Sequence, residues 1–137
     1  MTTTPYDIIA EFYDLENAGF TDDLPFWLAL TREHGRPAGA SLPVLELGCG
    51  TGRVTQQIAR AGWAITGIDS SAAMLQRAQA KVAAQPRLAA RITWQQAELT
   101  TFEVEAGFGL ALVPYNTLCT CSHPPTRSLH WAGYGRR

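Results

Sequence analysis

The sequence predicts an α/β fold built on a parallel sheet. Three observations carry this. Short apolar runs of strand length alternate with helical patterns, a glycine-rich turn stands between the first run and its helix, and an acid closes the second run. The right-handed crossover rule then fixes how each strand–helix–strand unit winds.

Composition bounds the rest. With 137 residues, 46% apolar and 17% charged, the chain has room for one domain and is too apolar for a disordered segment. A formal net charge of -1 provides no basic field, so nucleic acid is not an expected partner. No apolar run approaches the ~20 residues that span a bilayer, so no membrane partner is expected either. The start of the chain lacks a basic region followed by an apolar core. Cys49, Cys119 and Cys121 are an odd set without framework spacing. Both features suit a cytoplasmic protein with reduced thiols.

Residues 5–36 read as helical and aromatic. Tyr6, Ile9, Phe12 and Tyr13 recur at helical spacing, which puts them on one face of a helix, with Tyr6 and Tyr13 expected to pack. Asp22, Asp23 and Pro25 mark a second helix start, with Phe26, Trp27, Leu28 and Leu30 following. Gly35, Pro37 and Gly39 make a linker. Leu42 to Leu47 reads as a buried strand, and Arg53 to Ala61 as a helix with Val54, Gln57, Ile58 and Ala61 on one side. Gly62 ends that helix, and Trp63 to Ile68 forms the second strand. Ser70 and Ser71 are candidate caps for a helix whose apolar face is Leu75, Ala78 and Val82, and Pro86 is expected to close the segment. Arg91 to Gln95 and Phe108 to Val113 are the third and fourth strands, with Trp63 and Trp94 expected to pack on the sheet.

The chemistry concentrates at Gly48, Gly50 and Gly52. Glycines reach backbone angles closed to other residues and let a ligand approach the main chain. The helix start beyond them offers unpaired N–H groups. Glu46 precedes the turn, and Asp69 ends the second strand, where a carboxylate can accept both hydroxyls of a ribose. The spacing is G-x-G-x-G followed by Arg53, not the dinucleotide G-x-G-x-x-G. A pyrophosphate would be repelled by Glu46, whereas a ligand carrying an ammonium and a sulfonium would not. A cationic nucleoside therefore fits better than a dinucleotide.

The run from Val44 to Val54, followed by Gly67 to Leu75, resembles the class I S-adenosylmethionine-dependent methyltransferases, and within them the small-molecule branch. Tyr6, Asp7, Tyr13 and Asp14 look like the aromatic N-terminal cap of that branch. The resemblance covers roughly residues 5–118 and implies a Rossmann-like sheet. It also implies that Gly48, Gly50 and Gly52 line the methionine and ribose of the cofactor, S-adenosylmethionine. Glu46 would hold the amino group, Asp69 the ribose hydroxyls, and Met74 would lie against the adenine. Glu98 and Leu99 stand where the family has an aspartate and an apolar residue near the adenine amine. Asn116 stands where an asparagine often faces the methyl group and acceptor. Cys49 reads as a small filler within the turn, and Ser70 follows the ribose-binding acid. The candidate cofactor-binding set is thus Glu46, Gly48, Cys49, Gly50, Gly52, Asp69, Ser70, Met74, Glu98, Leu99 and Asn116. No metal is expected, because Cys119, Cys121 and His123 lack the C-x-x-C knuckle spacing.

The family sheet has seven strands in the order 3-2-1-4-5-7-6, and four are legible here. The expected division is an N-terminal helical cap over 1–40, a partial cofactor-binding domain over 41–118, and an irregular tail over 119–137. The tail holds arginine, proline, glycine and histidine without a carboxylate, and an out-of-frame or prematurely stopped coding sequence is the expected origin. Strand four would then be an edge, prone to self-association. The functional expectation is methyl transfer to a small-molecule acceptor. A non-catalytic cofactor-binding remnant is the second reading, and an NAD-dependent oxidoreductase the third.

Overall fold

The computed structural model describes residues 5–35, 42–103 and 107–114. The elements in chain order are α1 (Pro5–Asn17), α2 (Leu24–His34), β1 (Val44–Leu47), α3 (Arg53–Arg60), β2 (Ile65–Asp69), α4 (Ala72–Val82), α5 (Pro86–Ala89), β3 (Ile92–Gln96) and β4 (Leu110–Leu112). The strands form one sheet in the order β3-β2-β1-β4, and every pairing is parallel. The α/β reading and the start of the expected strand order are both borne out. Among the described residues β4 lies at the edge, with β1 beside it.

Alternation along β1 sorts the core into two faces. Val44 joins Val54, Ile58, Ala59, Ile65, Ile92 and Leu112 on one side, with Trp27, Leu28, Trp63 and Trp94 packed against them. Leu45 and Leu47 join Ile68 on the other, where Leu99, Phe102 and Phe108 pack. All four residues of β1 are buried, so the strand carries no polar alternation that would mark a wet face. Glu46 shares Val44's face and is therefore directed to the α3 side.

Four local expectations need correction. In α1 the packed side is not the aromatic stripe: Ile9 is 41% and Phe12 56% exposed, while Ala10 is buried. Asp7 and Asp14 make the tertiary contacts instead. In α3 the buried residues are Val54, Thr55, Gln56, Ile58 and Ala59, whereas Ala61 is exposed, because the helix packs against both α2 and β2. Ser71 alone caps α4, accepting from the Met74 amide at 3.2 Å, while the Ser70 carbonyl accepts from Gln96. Pro86 does not simply close a segment. It opens α5, where its fixed φ suits a first helical turn.

Candidate functional site

The turn between β1 and α3 takes its shape from three glycines in the left-handed region, with φ of 69° at Gly48, 54° at Gly50 and 80° at Gly52. Its amides are held from inside. Gly48 N and Cys49 N donate to the Ile68 carbonyl at 2.8 and 3.0 Å, and Gly52 N donates to the Cys49 carbonyl at 2.9 Å. Gly50 N donates to Asp69 Oδ2 at 2.8 Å, and Ser71 N donates to Asp69 Oδ1 at 2.9 Å. Asp69 thus ties the turn to the start of α4. Burial pushes its carboxyl up, and the two backbone donors only partly offset this.

Gly52 has a packing role. A Cβ there would stand 2.7 Å from the Trp94 indole and 3.3 Å from Ala78. Gly67 on β2 leaves room for Cys49, whose Sγ would lie 3.0 Å from an added Cβ. Cys49 is 5% exposed, which fits the filler reading, and burial raises its thiol well above the usual range.

A cleft of about 360 Å³, counted out to open solvent, lies beside the turn. Glu46, Gly48, Cys49, Thr51, Arg53 and Val54 line it from β1, the turn and α3, together with Tyr13, Asn17 and Pro114. Glu46 accepts a short hydrogen bond from Thr55 Oγ1. Desolvation raises its pKa from 4.5 to about 8, against the lowering effect of Thr55 and Arg53. A carboxylate so placed is underprovided with positive charge, and a cationic ligand group in the cleft would supply it. Glu46 therefore fits a cationic ligand group such as an ammonium.

Sequence reasoning placed Glu46, Gly48 and Cys49 at this cleft, and Gly50 and Asp69 are joined across the turn. Gly52, Ser70, Met74, Glu98 and Leu99 are not among the described residues that line the cleft. Met74 is 1% exposed, inside α4. Glu98 is exposed, its carbonyl accepting from Thr101 N and Phe102 N at 3.1 and 2.8 Å. Leu99 packs on the Leu45 cluster. Asn116 lies outside the described residues.

Asp7 and Asp14, which the resemblance placed in an N-terminal cap, reach the turn and α4 through contacts that reading did not give, and Thr51 and Lys81 were not singled out at all. Asp14 Oδ1 accepts from Thr51 Oγ1 at 2.6 Å and from Lys81 Nζ at 2.7 Å. Lys81 also donates to the Thr51 carbonyl at 3.1 Å. Asp7 Oδ1 accepts from Ser71 Oγ at 2.6 Å. These bonds draw α1 over the turn, where Tyr13, expected to pack, faces the cleft. Burial raises the Asp14 carboxyl, but the Lys81 and Thr51 bonds outweigh it and leave it below its usual value. Arg53 is clamped by Asp23 at 2.5 and 2.8 Å, which lowers the Asp23 carboxyl.

A sheet ordered β3-β2-β1-β4, with a glycine turn after β1 and an acid ending β2, defines a class I S-adenosylmethionine-dependent methyltransferase fold. Residues 44–130 match the family described as methyltransferase domain, and the chain belongs to that family. The chain is similar to the CcbJ methyltransferase from Streptomyces caelestis, at 31% identity and a TM-score of 0.71, over 85% of this chain and 45% of that one. It resembles the glycopeptide N-methyltransferase MtfA complexed with S-adenosyl-L-methionine, at 25% identity and a TM-score of 0.59, over 69% of this chain and 41% of that one. It is 40% identical over 76 residues to the demethylmenaquinone methyltransferase of Tropheryma whipplei (strain Twist), 54% of this chain and 31% of that protein. The chain thus spans about a third of the length of the curated relatives it matches.

Proposed function

We propose that this chain binds S-adenosylmethionine at the β1–α3 turn and directs its methyl group to a small-molecule acceptor. The observation that carries this reading is the buried Glu46 carboxyl lining a cleft beside the glycine turn, with Asp69 fastened to Gly50 on the turn's other side. When bound, the cofactor supplies a methyl group on a positively charged sulfur. Glu46 receives the ammonium, and Asp69 the ribose hydroxyls through lone pairs its two backbone donors leave available. Gly48, Gly50 and Gly52 keep side chains out of the cofactor's path, with Cys49 filling the space behind them. Ser70, Met74, Glu98 and Leu99 flank the adenine end, and Asn116 the acceptor end. The chain's share of catalysis is alignment of acceptor and methyl group together with exclusion of water. The cap is assigned to residues 1–40 and the cofactor-binding unit to 41–118.

Calorimetric titration of the full chain with S-adenosylhomocysteine and with NAD tests the reading. The expected result is saturable binding of the first and none of the second. Preference for NAD would favour the oxidoreductase reading and end this one. Mass-spectrometric detection of methylated products from S-adenosylmethionine and a panel of small amines and alcohols then separates an enzyme from a binding-only fragment.

A further inference from the structure

The cleft carries charge of both signs. Glu46, 2% exposed, and Arg53, the first residue of α3, both line it. The Arg53 guanidinium is held in place: Nη1 donates to Asp23 Oδ1 at 2.5 Å and to the Phe20 carbonyl at 3.1 Å, and Nη2 donates to Asp23 Oδ2 at 2.8 Å. The Phe20 ring lies 5.0 Å from the guanidinium carbon, a cation–π contact. These bonds use three of its five N–H groups, so among the described residues the Nε–H and one Nη2–H remain for a ligand. Arg53 and Glu46 also feel one another electrostatically, each shifting the other toward its charged form.

The amino-acid end of a methionine-derived nucleoside is a zwitterion, with ammonium and carboxylate on one carbon. A cleft lined by one buried acid and one immobilised guanidinium matches it group for group. We propose that Arg53, positioned by Asp23 and Phe20, binds the α-carboxylate of the cofactor while Glu46 binds its ammonium. This assignment rests on the cofactor reading above and adds the recognition of the carboxylate. Arginine suits the role because its planar fork meets a carboxylate with two N–H groups at once. The clamp by Asp23 orders the side chain before binding, which lowers the entropic cost of engaging a ligand.

The test compares S-adenosylhomocysteine with its decarboxylated analogue, which lacks only the carboxylate, by titration calorimetry on the full chain. The unaltered chain should bind S-adenosylhomocysteine roughly ten- to a hundredfold more tightly, as expected for a charge-assisted hydrogen bond. Arg53→Gln should abolish that preference by weakening the carboxylate-bearing ligand alone. Arg53→Lys, which keeps the charge but loses the fork, should retain part of it. It carries the comparison should Arg53→Gln fail to fold. Equal weakening of both ligands by these substitutions would mean that Arg53 only braces α2 against α3, and would overturn the assignment. Retention of the full preference in Arg53→Gln would overturn it too. Failure of the unaltered chain to bind either ligand would remove the cofactor reading itself, a different outcome from loss of the preference.

Discussion

Asp69, at the end of β2, accepts the Gly50 amide at 2.8 Å on one carboxylate oxygen and the Ser71 amide at 2.9 Å on the other. One side chain thereby sets both the bend after β1 and the start of α4. Asp69→Ala leaves two amides without their acceptor and should cost about 1–3 kcal/mol of stability. It should also weaken S-adenosylhomocysteine binding at least tenfold. Denaturant unfolding and calorimetry check the two effects, and unchanged affinity would take Asp69 out of the ribose role.

Glu46 predicts a pH dependence of definite sign. Its folded pKa of about 8 lies above the unfolded value of 4.5, so between these limits the folded chain keeps a proton that the unfolded chain has released. Its contribution to stability therefore falls as pH rises through that window, with the full penalty present above it. Glu46→Gln removes the penalty. The variant should gain stability relative to the unaltered chain as the pH is raised across the window, and differ little in acid. Melting curves across pH report this, and a constant difference would contradict it.

Proton release follows from the same side chain. An ammonium bound against Glu46 favours its ionised form, so S-adenosylhomocysteine binding near neutral pH should release about one proton from this group. Calorimetry in buffers of different ionisation enthalpy measures it. Glu46→Gln should abolish the release.

Gly52 predicts a packing conflict. A Cβ would meet Trp94 at 2.7 Å, and φ is 80°. Gly52→Ala should cost about 2–5 kcal/mol from the left-handed backbone and the overlap together. Trp94→Leu in the same chain should recover part of the overlap cost, since the two effects share one contact. Chemical unfolding of the single and double variants measures the coupling.

The cap on the turn is held by polar contacts. Asp14 and Lys81 are each 34% exposed, so their pairing adds little to global stability. Lys81→Met should instead raise hydrogen exchange in residues 5–17 while leaving β1 and β2 protected. Unchanged exchange in α1 would show that the Lys81 bonds do not hold it.

Much of the fold is legible because β1 is buried on both faces and so appears as an apolar run, which makes the single acid within it conspicuous. Glu46, the three glycines and Asp69 form a local pattern that backbone geometry makes readable. The seat of α1 is not legible. Its docking bonds join Asp7 and Asp14 to Ser71, Thr51 and Lys81, partners 37 to 67 residues away. No local periodicity encodes them: the cap pattern marks Asp7 and Asp14 but not the partners that hold them. Arg53 was visible only as a break in the dinucleotide spacing. Its clamp by Asp23 depends on how α2 crosses α3. Leu99 fits the family pattern, but in the structure it packs on Leu45, Leu47 and Ile68.

A crystal structure of the full chain grown with S-adenosylhomocysteine would locate the cofactor on the fold. The nucleoside should lie across the Gly48–Gly52 bend, with its amino group on Glu46 and its ribose on Asp69. Density for the ligand elsewhere, or a bend closed over by Tyr13 and its neighbours at saturating ligand, would contradict it.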